Sequence, residues 1–240
     1  MFVYIMVMLC AAAIVALVYR YDLYEREPWR MVFMSMTCGF IMMHAAGLIE
    51  EQLIRGFHIQ RDQPFTKAML VALVEDCGKL MLVFTFAIIF ARHFNDPLDG
   101  LVYGTLIGLG AAINESLNYL RFLPHDSHTL GGEVIRLFAH AMMGGILGFG
   151  VGLEARPWRR PGPPSIIVVP ALIVIFAVHV AWDWIAYQPA RAAELRLVSM
   201  GLMMVMMTIW GAMVVGGMRR SKRVFHRHGL RNTLRADVIS

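Results

Sequence analysis

Charged residues are scarce in this chain. They make up 16% of its 240 residues, whereas hydrophobic residues make up 58%. So little polar surface cannot coat a water-soluble globule, which excludes a soluble enzyme or binding domain and makes the bilayer the solvent. Cysteine is rare as well, with three residues that all fall in apolar stretches (Cys10, Cys38 and Cys77), so no disulfide framework is expected.

Long apolar runs are what the sequence does contain, and short polar stretches separate them. A helix needs roughly 20 residues to cross about 30 Å of hydrocarbon. Seven runs have this length: 1–19, 31–49, 67–90, 98–120, 133–153, 165–187 and 195–218. We predict an all-α, polytopic transmembrane helix bundle of about seven spans over residues 1–218. The segment 50–63 carries mixed charge and predicts an interfacial stretch.

Positive charge is concentrated after the last run, in a basic tail at 219–240. The loops on the same predicted side of the membrane, counted with this tail, carry twice as many Lys and Arg residues as the loops on the other side. The positive-inside rule therefore places the tail in the cytoplasm and the N-terminus outside it. Because the net charge of +5 arises largely from this tail, it indicates contact with anionic lipid and predicts no nucleic-acid partner.

Seven charged or histidine residues lie more than three positions from either end of the third to sixth runs. Inserting a charged side chain into a membrane span costs at least about 2.5–3.5 kcal/mol, so several such residues require a structural or functional explanation. A single one is as readily a buried ion pair as a functional group, but seven on four consecutive helices predict a site. They are Glu75, Asp76 and Lys79 in run three, Glu115 in run four, His140 in run five, and His179 and Asp183 in run six.

Depth in the membrane points to one shared site. At 1.5 Å per residue, with consecutive spans running in opposite directions, four of these residues lie roughly 9–12 Å below the same, extracytoplasmic face. They are Glu75, Glu115, His140 and His179. Independent ion pairs would not require a common depth, so we predict that these four side chains line one cavity.

Helical spacing groups the remaining residues with them. Glu75 and Asp76 stand four and three residues before Lys79, so all three share one helix face. His179 and Asp183 are likewise four residues apart. Either both ligate one metal ion, or Asp183 orients the imidazole of His179.

Glycines recur every four residues in the fourth run and often in the fifth. No strand precedes them, so they predict close helix packing and not a phosphate-binding loop. Such packing could bring Glu115 and His140 within ligand distance of each other. The glycines are Gly100, Gly104, Gly108, Gly144, Gly145, Gly148 and Gly152.

The motifs follow one order along the chain. Glu75-Asp76-x-x-Lys79 comes first, then Asp99-Gly100-Leu101-Val102-Tyr103-Gly104 leading to Glu115, then His140 and His179-x-x-x-Asp183. This order resembles the PrsW family of intramembrane proteases, distant relatives of the CAAX-processing proteases, over residues of about 19 to 187. The segment 21–29 is similar to that family's first loop. Two positions depart from the pattern: Asp76 replaces the usual second Glu, and Ser116 replaces a frequent Asn.

The resemblance implies an intramembrane endopeptidase in the plasma or inner membrane of a bacterial cell. Its substrate would be a single-span membrane protein, such as an anti-sigma factor, cut near the extracytoplasmic boundary. The implied catalytic residues are the seven ionisable residues named above. Two mechanisms stay open: Zn²⁺ held by some of Glu115, His140, His179 and Asp183 with Glu75 as base, or Glu and His without a metal. Because the sequence lacks His-Glu-x-x-His, zinc rests on the resemblance.

A proton- or ion-coupled transporter is the alternative, since transporters also bury Asp, Glu and His at one depth. The two halves of the sequence show no inverted repeat, however, and a site confined to spans three to six suits a reaction chamber better than an alternating-access path.

Overall fold

The computed structural model describes residues 2–21, 27–60, 62–94, 96–122, 127–154, 168–188 and 192–236. The secondary structure of these residues is helical, without strands, so the predicted all-α class is confirmed. The helices are α1 (Phe2–Tyr21), α2 (Trp29–Gly56), α3 (Pro64–Ile89), α4 (Pro97–Tyr119), α5 (Ser127–Glu154), α6 (Val168–Ala186) and α7 (Ala192–Ala236). Part of the first-loop segment, residues 22–26, lies outside the described residues, as does the start of the sixth run.

Four helical segments of the described chain are long and apolar enough to cross a membrane: Trp29–Gly56, Leu130–Leu153, Val168–Ala186 and Leu197–Arg219. Helix α3 is long enough but carries Glu75, Asp76 and Lys79 near its middle. The count of seven spans therefore stays a prediction. Helix α7 continues to Ala236, so the last apolar run and most of the basic tail share one helix.

Helix α4 forms the centre of the bundle. Its residues 98–114 are all buried, and it packs against α1, α2, α3, α5 and α7. A capping box fixes its start: the Asp96 side chain accepts from the backbone N–H of Asp99 at 3.2 Å, and the Asp99 side chain accepts from the backbone N–H of Asp96 at 2.8 Å. A helix surrounded on all sides positions the residues near its C-terminal end, including Glu115.

Glycine allows the backbones of α4 and α5 to touch. A Cβ atom on Gly104 would lie 2.2 Å from the carbonyl oxygen of Gly144, and one on Gly108 would lie 2.0 Å from that of His140. No larger residue fits these positions without separating the helices. The two helices run antiparallel, and the His140 side chain tilts toward the N-terminus of α5, which is the direction of Glu115 on α4.

Helix α2 approaches a second face of α4 in the same way. A Cβ atom on Gly39 would lie 2.1 Å from the carbonyl oxygen of Ile107, and one on Gly110 would lie 2.0 Å from that of Met36. This contact holds α2 next to the second half of α4. As a result, the C-terminal turns of α2 lie beside the end of α4 that carries Glu115.

Candidate active site

Three buried side chains from three helices meet at one point. They are Glu75 of α3, His140 of α5 and His179 of α6, and one ligand atom of each lies within 4.8 Å of the others. Glu75 Oε2 is 3.8 Å from His140 Nδ1 and 3.7 Å from His179 Nε2. Their exposed fractions are 4%, 5% and 2%. One carboxylate oxygen thus faces two imidazole nitrogens in a protected location.

Asp76 orients the ring of His179. Its Oδ1 atom lies 3.0 Å from His179 Nδ1, at hydrogen-bond distance. An ionised carboxylate only accepts hydrogen bonds, so Nδ1 carries the proton and donates it. In the neutral ring the lone pair is then on Nε2, the nitrogen that faces Glu75.

Glu115 lies beside the opposite nitrogen of His140. Its Oε2 atom is 3.0 Å from His140 Nε2, an ion-pair distance, although this oxygen has no hydrogen-bond partner among the described residues. His140 Nδ1 has no hydrogen-bond partner among the described residues, and it faces Glu75. His140 Nδ1 and His179 Nε2 thus face the same carboxylate oxygen.

Lys79 balances the negative charge of α3. Its Nζ atom donates to Glu75 Oε2 and to Asp76 Oδ1, each at 3.1 Å, and the side chain is fully buried. The helical spacing of the three residues predicts this arrangement. Two buried carboxylates without a cation would each carry a large desolvation penalty, which the shared ammonium offsets.

Glu133 and Arg136 extend the cluster beyond the residues found by sequence. Arg136 Nε lies 3.4 Å from Glu115 Oε1, and its Nη1 donates to both carboxylate oxygens of Glu133 at 2.5 and 2.6 Å. The guanidinium also stacks over the Tyr119 ring at 4.3 Å. Neither Glu133 nor Arg136 is among the site residues predicted from the sequence. The signal was available, because Glu133 and Arg136 lie seven and four residues before His140 and share its helix face.

The compact donor group differs from the metal-ligand set predicted from sequence. That set contained Glu115, His140, His179 and Asp183, with Glu75 as base. In the structure Glu75 joins the two histidines, whereas Glu115 contacts the far nitrogen of His140. Asp183 Oδ2 lies 3.8 Å from His179 Nε2 but is not part of the compact donor group. The rotation of each helix about its axis decides which carboxylate faces inward, and depth alone does not specify it.

The donor group fits a bound metal ion. The 3.7 and 3.8 Å separations are too long for hydrogen bonds but close to the roughly 3.4 Å expected between two ligands bound tetrahedrally at about 2.1 Å. The unpartnered His140 Nδ1 is one such ligand atom. Two imidazoles and one carboxylate are also the ligand set of known catalytic zinc sites, with a fourth position left for water.

A cavity of about 380 Å³ lies beside this group, bounded by α2, α3, α4 and the end of α6. Glu75 and Glu115 form part of its wall. Helix α2 contributes one whole face to the cavity wall, because it continues to Gly56. The sequence had predicted an interfacial segment from residue 50 onward. The α2 residues of the wall are Met43, Gly47, Glu50, Glu51, Ile54 and Arg55.

Apolar helices of membrane length, a buried Glu/His/His group that could bind a metal ion and an adjoining cavity define an integral membrane protein with an enclosed candidate active site. The family described as PrsW family intramembrane metalloprotease matches residues 27–216, and the chain belongs to this family. The resemblance drawn from the motifs is confirmed, and with it the prediction of an intramembrane protease over that of a transporter.

Three relatives named Protease PrsW are similar to this chain. The protein of Bacillus subtilis (strain 168) is 27% identical over 177 residues, which cover 72% of this chain and 77% of the relative. That of Geobacillus kaustophilus (strain HTA426) is 25% identical over 181 residues, covering 75% and 77%. That of Clostridioides difficile (strain 630) is 24% identical over 185 residues, covering 74% and 76%. No solved structure matches the chain significantly.

Proposed function

We propose that the chain is an endopeptidase that cleaves a single-span membrane protein, such as an anti-sigma factor, at the Glu75–His140–His179 group. One observation carries this proposal: each imidazole has a carboxylate on its outer nitrogen, and both inner nitrogens face the same Glu75 oxygen. Imidazoles held in this way are typical of catalytic metal centres, where a carboxylate fixes the tautomer of the ligand.

Glu75, His140 Nδ1 and His179 Nε2 would hold the metal ion, for which we propose Zn²⁺. When bound, such an ion supplies Lewis-acid activation of water and of the scissile carbonyl group. The residues around the group keep the donors in place. Asp76 fixes the tautomer of His179, Glu115 lies beside Nε2 of His140, and Lys79 compensates the charge of Glu75 and Asp76.

Asp183 is our candidate for the proton acceptor in the reaction. Glu75 and Asp76 each contact Lys79, and Glu115 contacts Arg136. Among the described residues, Asp183 is the carboxylate of the cluster without a Lys or Arg partner, and it lies 3.8 Å from His179 Nε2. Its oxygens are therefore available to take a proton from the attacking water and to return it to the leaving amine.

Metal content tests this assignment. The purified protein is expected to bind about one zinc ion per chain, and a strong chelator is expected to abolish substrate cleavage until zinc is restored. His140→Ala and His179→Ala should each lower the zinc content measured by elemental analysis. His44→Ala is the matched control, because His44 lies exposed on α2 and should leave zinc unchanged. Full activity of metal-free protein would instead support a Glu/His mechanism without metal.

The position of the cut follows from the proposed orientation. If the basic tail is cytoplasmic, the group lies in the extracytoplasmic half of the membrane. A substrate helix protects its peptide bonds with internal hydrogen bonds except where its end frays. We therefore expect cleavage at the extracytoplasmic end of the substrate helix, with release of an ectodomain and retention of a membrane stub. Mass spectrometry of the products decides this. A cut at the cytoplasmic end would contradict the orientation, and reporter fusions to the tail would show whether the charge count is at fault.

A further inference from the structure

The cavity beside the candidate active site contains a carboxylate that the proposed reaction does not use. Glu50 of α2 lines the same cavity as Glu75 and Glu115. Its Oε1 atom is buried and has no hydrogen-bond partner among the described residues. Leaving a buried acceptor unsatisfied costs about 1–3 kcal/mol, and more for a charged group, so this atom calls for an explanation.

The cations of the cavity wall are already engaged elsewhere. Arg55 pairs with Glu51 at the exposed end of the cavity. The Lys67 Nζ atom lies over the Tyr187 ring, 4.4 Å from its centroid. Neither cation forms an ion pair with Glu50 in the described chain, so the wall presents a carboxylate oxygen that can receive a charged donor from outside the protein.

The surroundings of Glu50 favour a long side chain with a cationic end. The cavity wall also includes Met43, Ile54 and Val71, which are apolar and suit an aliphatic stem. Its volume of about 380 Å³ falls in the range of ligand pockets, and Glu75 lies on the same wall. A residue bound here would thus be close in sequence to the peptide bond at the active site.

We propose that Glu50 forms a substrate-binding subsite that recognises a Lys or Arg side chain next to the scissile bond. This inference rests on the proposed function and adds the class of substrate that the protease prefers. The cation donates to the unsatisfied Glu50 oxygen, and the stem packs against the apolar wall. Binding of this kind orients the substrate chain along the cavity with its backbone toward Glu75.

The test uses the full-length protein in liposomes with a tagged single-span substrate. One position at a time, over five residues on each side of the cut, is changed to Lys, Arg, Met or Glu, and initial cleavage rates are measured. The wild type is expected to cleave the Lys and Arg substrates about tenfold or more faster than the Met substrate at one position, as a charge-assisted hydrogen bond would give. Glu50→Gln should reduce this ratio to about two or less, while Asp62→Asn, which neutralises an exposed carboxylate outside the cavity, should retain it.

Charge reversal at Glu50 provides a second measurement, and it still tests the subsite if Glu50→Gln does not fold. Glu50→Lys is expected to prefer the Glu substrate over the Lys substrate at the same position. The subsite is wrong if the wild type cleaves all four substrates equally at every position, or if either folded Glu50 variant keeps the wild-type preference. If the wild type cleaves none of the substrates, the proposed function itself fails, and the subsite falls with it.

Discussion

Replacing Glu75 by glutamine is expected to lower cleavage of a co-expressed single-span substrate by roughly 10²-fold or more, because it removes an anionic ligand of the proposed metal ion and losing even a residue that only orients a ligand costs about 10–100-fold. The amide keeps the size of the side chain but removes its negative charge. Glu75 Oε2 is the atom that both imidazoles and Lys79 contact, so no other residue takes its place. Lys79 remains paired with Asp76, and the helix is therefore expected to fold. The fraction of substrate cut is read from immunoblots of isolated membranes.

Asp62→Asn is the matched control for this change. It also converts a carboxylate to an amide, but Asp62 is exposed and lies outside the site, so wild-type cleavage is expected. Equal amounts of both variants in the membrane fraction would show that folding is preserved. Glu75→Gln protein that cuts at the wild-type rate would remove Glu75 from the reaction.

His140→Ala and His179→Ala are expected to reduce the cleavage rate to the same low floor, and the double variant is expected to fall no further. The two rings lie edge to face with centroids 5.5 Å apart, and one nitrogen of each faces Glu75 Oε2, so removing either one destroys the same centre. Residues that act as a unit show this strong non-additivity in their effects on rate. Rates are measured with purified protein and substrate in liposomes.

His44→Ala, an exposed histidine of α2, should cleave at the wild-type rate in the same assay. If the losses from His140→Ala and His179→Ala instead multiply in the double variant, the two residues contribute independently. The single-centre arrangement would then be incorrect, even if each histidine matters for activity.

The common depth of the site residues could be predicted from the sequence. The fixed rise of a helix and the alternation of span direction place Glu75, Glu115, His140 and His179 at one level, and in the structure they lie together. The spacing of Lys79 from the acidic residues of α3 likewise predicts its ion pairs.

The sequence could not predict which carboxylate faces the two histidines, because that depends on the rotation of each helix against its neighbours. The glycine contacts between α4 and α5 set that rotation for His140, and they direct its Nε2 toward Glu115. The cavity face of α2 was missed for a different reason. A change to mixed charge at residue 50 predicts the end of a span, yet the helix continues to Gly56. Mixed charge ends the apolar run without ending the helix.

The two departures from the family motif differ in their structural effect. Asp76 has a shorter side chain than Glu, but its Oδ1 atom still reaches Lys79 Nζ at 3.1 Å and His179 Nδ1 at 3.0 Å. Ser116 is buried, and its hydroxyl has no hydrogen-bond partner among the described residues. A nearby amide contact exists one turn away, where Asn118 donates to Asn114 at 3.1 Å.

The central claim is that Glu75, His140 and His179 hold one ion in one reaction centre. An anomalous difference map at the zinc absorption edge, from crystals of the purified, catalytically active protein, tests this claim most directly. We predict a single strong peak bounded by Glu75 Oε2, His140 Nδ1 and His179 Nε2, each within about 2.2 Å of the ion. A peak bounded by Glu115 and Asp183 instead, or an active protein without any peak near the two histidines, would contradict it.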